Sequence, residues 1–477
     1  MLALEIVAAV KAGKTSPKEV LEHYLERIER LEPKIHAFIR LNPEARAEAL
    51  AVEKRLANGE ELPLAGVPVA VKDNLCTKGL ETTCASRILQ HFVPPYSATV
   101  VEKLRQAGAV VLGKTNLDEF AMGSSTEYSA FGPTRNPWDL ERAPGGTSGG
   151  SAAAVAADFA PLALGTDTGG SVRLPAAFCG VYGFKPTYGR ISRYGVIAHA
   201  SSLDQVGTMA RSIEDLALLT DVLSGYDPMD STSLQAAPRF REGLESPSSF
   251  TVGIVKEAFV SGNSAGVTAA CEAFRRTMEG RGVRFVEVSI PTLQYALATY
   301  YIVDTSEISS NLARYDGTLY GLRVAGSDVS DTMMRSRESG LGPEVKRRIL
   351  MGTFALSAGY YEAYYGKALR ARAKLKADFD AAFAGTDLLL MPTSPTPAFK
   401  LGDKLSDPLS MYLTDIDTVA INLAGLPALS IPAGLEGDLP VGVQLVTRPL
   451  QDEKIFTLAK AFQDATEKAF LRVAPLN

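Results

Sequence analysis

Between residues 144 and 175 the chain carries two hydroxyl clusters set among glycines. The first is Gly145, Gly146, Thr147, Ser148, Gly149, Gly150 and Ser151. The second is Gly165, Thr166, Asp167, Thr168, Gly169, Gly170 and Ser171, followed by Val172, Arg173, Leu174 and Pro175. A run of small residues, 152–157, joins them. Glycine accepts dihedrals that let several backbone N–H groups converge on one point, and a serine at the end of such a run can be a nucleophile facing them.

On both sides of this stretch the pattern alternates between helix and strand. Residues 66–72 read as a short strand in which Val67, Val69 and Val71 share one face, so Lys72 points to the other. Upstream, Ser16 and Pro17 spell an N-cap with proline at the first helical position. Val20, Leu21, Tyr24, Leu25, Ile28 and Leu31 then follow helical spacing. A second helix is expected at about 43–58, and a helix over 98–107 feeds a strand at 109–112. Downstream the expected order is strand 251–255, helix 267–281, strand 284–288 and a helical section over 293–383. A buried strand at 387–392, a helix at 415–424, strands at 428–432 and 441–446 and a closing helix at 452–469 complete it. Residues 236–249 read as a surface connection. This is an α/β pattern. With 477 residues, 46% hydrophobic and 22% charged, the chain has material for one large α/β domain with a helical insertion.

The formal net charge is -5 and no lysine/arginine block marks a nucleic-acid stripe, so any nucleic acid is expected to be held by another subunit. The four cysteines, Cys76, Cys84, Cys179 and Cys271, form no CxxC pair and read as buried reduced thiols. No signal pattern and no apolar run of membrane-spanning length is found, which sets a cytoplasmic expectation without a membrane partner.

Serine hydrolases usually activate their nucleophile with histidine. Here the histidines are His23, His36, His91 and His199, and only His199, in Ala198-His199-Ala200-Ser201-Ser202, offers even a weak base. Lys72 is the better candidate. It ends an apolar strand, and desolvation there lowers a lysine toward a neutral, usable base. The competing reading is a structural ion pair with Asp73.

Three separated motifs, 66–74 around Lys72, 145–151 and 165–175, resemble the amidase signature family in order and spacing. The resemblance implies an α/β fold with a central mixed sheet covered by helices on both faces. It implies one domain over 1–477, with N-terminal helices to about 60, a catalytic core at about 61–225 and a helical insertion at about 290–385. The family uses a Ser–cis-Ser–Lys triad. By position, Ser171 is the acyl-forming nucleophile, Lys72 the terminal base and residue 147 the bridging hydroxyl. This chain has Thr147 where the family has serine, and Ser148 stands as an alternative relay. The backbone N–H groups of Thr168, Gly169, Gly170 and Ser171 are the implied oxyanion hole, with Asp167 and Arg173 as a structural pair holding the loop.

Four further segments, 119–127, 306–317, 345–361 and 411–427, resemble the glutaminase branch of that family, the A subunits of tRNA-dependent amidotransferases. That branch implies glutamine as substrate. Arg348 would grip its α-carboxylate, Asp415 its ammonium, and Tyr300 or Tyr301 would bond near the amide. The alternative is that these are surface charges and core tyrosines. The resemblance also implies a heterotrimer in which a B subunit uses ATP and Mg²⁺ to activate Glu-tRNA(Gln) or Asp-tRNA(Asn) and holds the mischarged tRNA, while a small C subunit wraps the pair. No cofactor or metal is expected in this chain. A stand-alone amidase acting on other carboxamides, and a scaffold whose chemistry has decayed at Thr147, remain open on the sequence alone.

Overall fold

Alternation along residues 67–72 is resolved by the fold into two opposite faces. In a computed structural model, which describes all residues except 236–238, 245–249, 260–261, 467–468 and 477, Val67, Val69 and Val71 pack into one hydrophobic cluster. Ala70, between them, packs into another with residues 152–157. The strand therefore lies between two helical layers, and Lys72 emerges on the side of the helix Gly149–Ala156.

The strands are β1 (Phe38–Leu41), β2 (Pro68–Lys72), β3 (Val110–Thr115), β4 (Leu162–Thr166), β5 (Tyr182–Lys185), β6 (Val206–Ala210), β7 (Thr251–Val255), β8 (Arg284–Val288), β9 (Leu388–Pro392), β10 (Ala428–Glu436) and β11 (Leu439–Thr447). They form one 11-stranded mixed sheet in the order β1-β3-β2-β4-β6-β5-β10-β11-β9-β7-β8. Strand β2 runs parallel to both β3 and β4, with Val69 opposite Leu162 and Val71 opposite Leu164. The carboxyl ends of β2 and β4 thus lie side by side, and the segments leaving them meet, Asn74 Nδ2 donating to the Thr166 hydroxyl at 2.9 Å; ligands of open α/β sheets usually bind at this end of the strands. β4 is antiparallel to its other neighbour, β6.

A helix Ala3–Lys11 comes first, and the one expected after Ser16 begins as predicted. Ser16 caps Pro17–Ile35 by accepting from the Glu19 N–H, and the Glu19 side chain returns the bond to the Ser16 N–H. The helical section holds the helices Ala296–Asn311, Val329–Gly340, Pro343–Leu356 and Lys367–Ala382. Two expected helices change. Residues 415–424 do not form one helix: Asp415 ends a 3₁₀ turn and the helix is only Val419–Leu423. The Thr418 hydroxyl is drawn instead to the Gly169 carbonyl at 2.6 Å and to the Asp415 carbonyl at 3.0 Å, a tertiary demand that overrides local propensity. The closing helix stops at Ala465, where the Thr466 hydroxyl turns back on the Phe462 carbonyl. Residues 467–468 of the range expected for the closing helix, and 236–238 and 245–249 of the expected surface connection, lie outside the described residues. All four cysteines are free and buried. Among the described residues no helix is long and apolar enough to cross a membrane.

Candidate active site

Lys72 is the last residue of β2 and is fully buried. Its Nζ donates to the Thr147 hydroxyl at 2.7 Å, the Ser148 hydroxyl at 2.8 Å and the Thr166 hydroxyl at 3.0 Å. Burial pushes the amine down to about 7, against the pull of the Asp118 and Asp167 carboxylates. The competing ion pair is absent: Asp73 turns to Lys114, 3.3 Å away, and accepts from Thr83. Lys185 is equally buried and is also pushed down to about 7, but it donates to the Leu426 carbonyl rather than to a hydroxyl.

The two relay candidates differ in their remaining bonds. The Ser148 hydroxyl is enclosed, donating to the Thr166 carbonyl at 3.2 Å and accepting from the Thr166 N–H at 3.3 Å. The Thr147 hydroxyl accepts from Lys72, and among the described residues no acceptor takes its proton. The peptide Gly146–Thr147 is cis. Ser171 follows the loop after β4 and is 8% exposed, and its hydroxyl has no hydrogen-bond partner among the described residues.

The nucleophile loop is held from below by charge. Asp167 and Arg173 are both fully buried and meet through Nε–Oδ2 at 3.0 Å and Nη2–Oδ1 at 3.1 Å. Arg173 also donates to Gln444 and Asn422, and Asn422 donates to Asp167. Burial alone would raise Asp167, but the Arg173 guanidinium holds its carboxyl well below the ordinary range. Asp167 also accepts the Gly170 N–H at 2.9 Å. This corrects the expected oxyanion donors: Gly170 is spent on its own loop. The N–H groups of Thr168, Gly169 and Ser171 have no acceptor among the described residues. Gly170 keeps a structural reason to be glycine, since its φ is +131° and a Cβ there would stand 2.2 Å from the Thr418 hydroxyl.

Of the substrate-clamp candidates, Arg348 and Asp415 are not surface charges, while Tyr300 and Tyr301 are buried within a hydrophobic cluster, as the core alternative has it. Arg348 is 2% exposed. Its Nε donates to Glu344 one turn earlier at 2.8 Å, and its Nη1 lies 3.3 Å from Asp304. The guanidinium carbon stands 5.2 Å from the ring centres of both Tyr301 and Tyr412. Its Nη2 is buried and has no partner among the described residues. Asp415 accepts from the Ser124 hydroxyl at 2.7 Å and the Tyr301 hydroxyl at 3.0 Å. Burial raises it to about 7 against those bonds. Tyr300 faces the nucleophile loop, because a Cβ on Gly169 would stand 2.4 Å from its hydroxyl. Thr418 ties Asp415 to the same loop through its bonds to the Gly169 and Asp415 carbonyls. A buried cation edge, a buried carboxylate and a hydroxyl–lysine cluster therefore converge on one region.

His199 does not join Lys72. Its Nδ1 faces the Phe120 carbonyl at 2.9 Å and its Nε2 faces Asp304 at 2.7 Å. Several partners escape a reading of the sequence: Thr166, Ser124, Asp304, Glu344, Tyr412 and Thr418. Of these, only Glu344 carries a local signal, its i,i+4 spacing to Arg348.

The amidase family model matches residues 19–456. The chain is 58% identical over 478 residues to the A subunit of a glutamyl-tRNA(Gln) amidotransferase from Thermus thermophilus, covering 100% of this chain and 99% of that one. Among solved structures it is similar to the A subunit of a glutamyl-tRNA(Gln) amidotransferase from Thermotoga maritima, with 44% identity and a TM-score of 0.79, covering 94% of this chain and 91% of that one. It is also similar to a peptide amidase in complex with the competitive inhibitor chymostatin, with 30% identity and a TM-score of 0.83, covering 98% and 97%.

Proposed function

The chain belongs to the amidase signature family, and from that premise we propose that it hydrolyses the side-chain amide of glutamine and hands the ammonia to a partner, as the A subunit of a glutamyl-tRNA(Gln) amidotransferase. The observation that carries the chemistry is a buried Lys72 bonded to a hydroxyl whose proton is unclaimed. With the amine neutral, its 2.7 Å bond to Thr147 reverses, and Lys72 accepts the Thr147 proton as Thr147 takes the Ser171 proton. The Ser171 oxygen attacks the amide carbon, and the oxyanion forms against the N–H groups of Thr168, Gly169 and Ser171. Each such donor is worth ~3 kcal/mol to the transition state. Collapse expels ammonia, which leaves with the relayed proton, and water then cleaves the glutamyl ester to regenerate Ser171 and release glutamate. Thr147 is preferred over Ser148 as relay because Ser148 is already bonded to both backbone groups of Thr166. The extra methyl of threonine restricts χ1 but leaves the hydroxyl chemistry intact.

Specificity for glutamine follows from the other end of the site. The Arg348 Nη2 edge suits an α-carboxylate and Asp415 an α-ammonium, with Tyr300 beside the amide and Tyr301 fixing Asp415. A stand-alone amidase for simple carboxamides has no need of that clamp, and the full-length identity to the Thermus thermophilus protein speaks against it. The relatives' designation as A subunits supports the presence of partners. A B subunit that activates Glu-tRNA(Gln), or Asp-tRNA(Asn), with ATP and Mg²⁺, and a small C subunit completing a heterotrimer, belong to the same proposal. In an assay of ammonia release with and without co-purified partners, glutamine should be hydrolysed and simple aliphatic amides should not. Brisk turnover of those simple amides by the lone chain, with glutamine ignored, would reverse the assignment.

A further inference from the structure

Resting on the glutaminase reading, we propose that His199 is a positioning residue for glutamine: its imidazolium neutralises Asp304 and so leaves the Arg348 guanidinium able to receive the substrate α-carboxylate. The protonation state follows from geometry. His199 is 2% exposed, and each ring nitrogen faces a hydrogen-bond acceptor, the Phe120 carbonyl at 2.9 Å and the Asp304 carboxylate at 2.7 Å. A neutral imidazole carries one N–H and satisfies one of these acceptors; the imidazolium satisfies both. Burial opposes the charged ring, yet the Asp304 and Asp204 carboxylates hold it above its ordinary range.

Asp304 is thereby shared. Its Oδ1 takes the 2.7 Å bond from His199, while its Oδ2 stands 3.3 Å from Arg348 Nη1. Arg348 is otherwise paired only through Nε with Glu344, and its Nη2 has no partner among the described residues. The corner thus holds Glu344, answered by Arg347 on one oxygen and Arg348 on the other, and Asp304, answered by His199 and Arg348. Neutralising His199 leaves Asp304 to Arg348 alone, so the guanidinium is engaged by a carboxylate of the protein where the carboxylate of the substrate must bind. At an effective dielectric of about 20, a unit charge within about 12 Å is worth at least about tenfold in affinity. The backbone of the same residue has a separate duty. The His199 N–H bonds Asp204 at 2.9 Å, and Asp204 also accepts the Thr168 hydroxyl at 2.8 Å. Side-chain substitution leaves that tether in place.

The test is steady-state glutaminase kinetics on the full chain with its co-purified partners. Wild-type hydrolysis comes first: its absence sinks the glutaminase reading itself, whereas hydrolysis with a KM indifferent to His199 sinks only this inference. His199→Gln is expected to raise the glutamine KM about tenfold with kcat held within about twofold. The double variant His199→Gln/Asp304→Asn, which removes the anion as well, is expected to return KM to within about threefold of wild type. Against 4-aminobutanamide, which is glutamine without its α-carboxylate, the single variant should match wild type. An unchanged KM, a double variant no better than the single, or an equal loss on 4-aminobutanamide each overturns the proposal. Should His199→Gln fail to fold by circular dichroism, the double variant decides alone, and a KM raised tenfold there counts against it.

Discussion

The two ends of the site are built on opposite electrostatic plans. Around Lys72 the contacts are hydroxyls, and burial without an ion pair brings the amine down to about 7. Around Arg348 the contacts are carboxylates and tyrosine rings, and the guanidinium stays charged while one edge is left open. One end uses desolvation to make a base. The other uses compensation to keep a buried charge without exhausting it. It follows that the hydroxyl end can be altered at the expense of rate, whereas the charged end carries substrate affinity and stability together.

The largest expected effect is at the hydroxyl end. Ser171→Ala and Lys72→Ala should each lower glutaminase kcat by at least about 10³-fold, with far-UV circular dichroism unchanged. Full activity in the Lys72 variant would remove lysine as the base. At the charged end, Arg348→Leu should raise the glutamine KM about 10²-fold and also lower the melting temperature. It takes one of two cations from each of Glu344 and Asp304, leaving Arg347 on the first and His199 on the second, so the loss stays below the about 3–5 kcal/mol of a fully orphaned buried charge. A variant that loses affinity but melts like wild type would break the contrast between the two ends. Next come the relay hydroxyls. Thr147→Val should cost about 10²-fold in kcat, while Thr147→Ser stays within a few-fold, because the hydroxyl and not the methyl is used. The opposite ranking, with Ser148→Ala the more damaging change, would move the relay to Ser148.

The smallest effect is with pH. The Lys72 amine is active when neutral, so at saturating glutamine kcat should rise about tenfold from pH 6 to pH 8, through about 7. Asp415 also ionises through about 7, and its charged form is the one that holds an ammonium, so glutamine KM should fall over the same range. Asp415→Asn should flatten the KM profile and leave the kcat profile in place. Loss of both profiles together would show that the two ends titrate as one unit.

Legibility in the sequence follows the same divide. Strand β2 and the direction of Lys72 are readable because alternation with period two is a local property, and the chain places Val69 and Ala70 in opposite clusters. The hydroxyl cluster is readable in kind, since glycines and serines announce a tight loop. Its wiring is not. Gly170 donates to Asp167, and Ser148 is bound to Thr166, because of contacts across strands and loops that no spacing records. At the charged end Arg348 and Asp415 are indicated through family resemblance. Asp304, 44 residues before Arg348, and Ser124, 291 residues before Asp415, meet them only in the fold. The helix expected at 415–424 is interrupted beside a contact of the same kind: the Thr418 hydroxyl reaches Gly169 while its N–H closes a tight turn on the Asp415 carbonyl. Long-range polar contacts of this kind leave no periodic trace in the chain.

The central claim is that Ser171 forms a glutamyl ester under the control of a neutral Lys72. Mass spectrometry of acid-quenched protein during glutamine turnover tests it most directly. The expected result is one glutamyl group on the peptide containing Ser171, present in wild type and absent in Ser171→Ala. Glutamine hydrolysis that persists in Ser171→Ala, or an adduct carried by another residue, would contradict it.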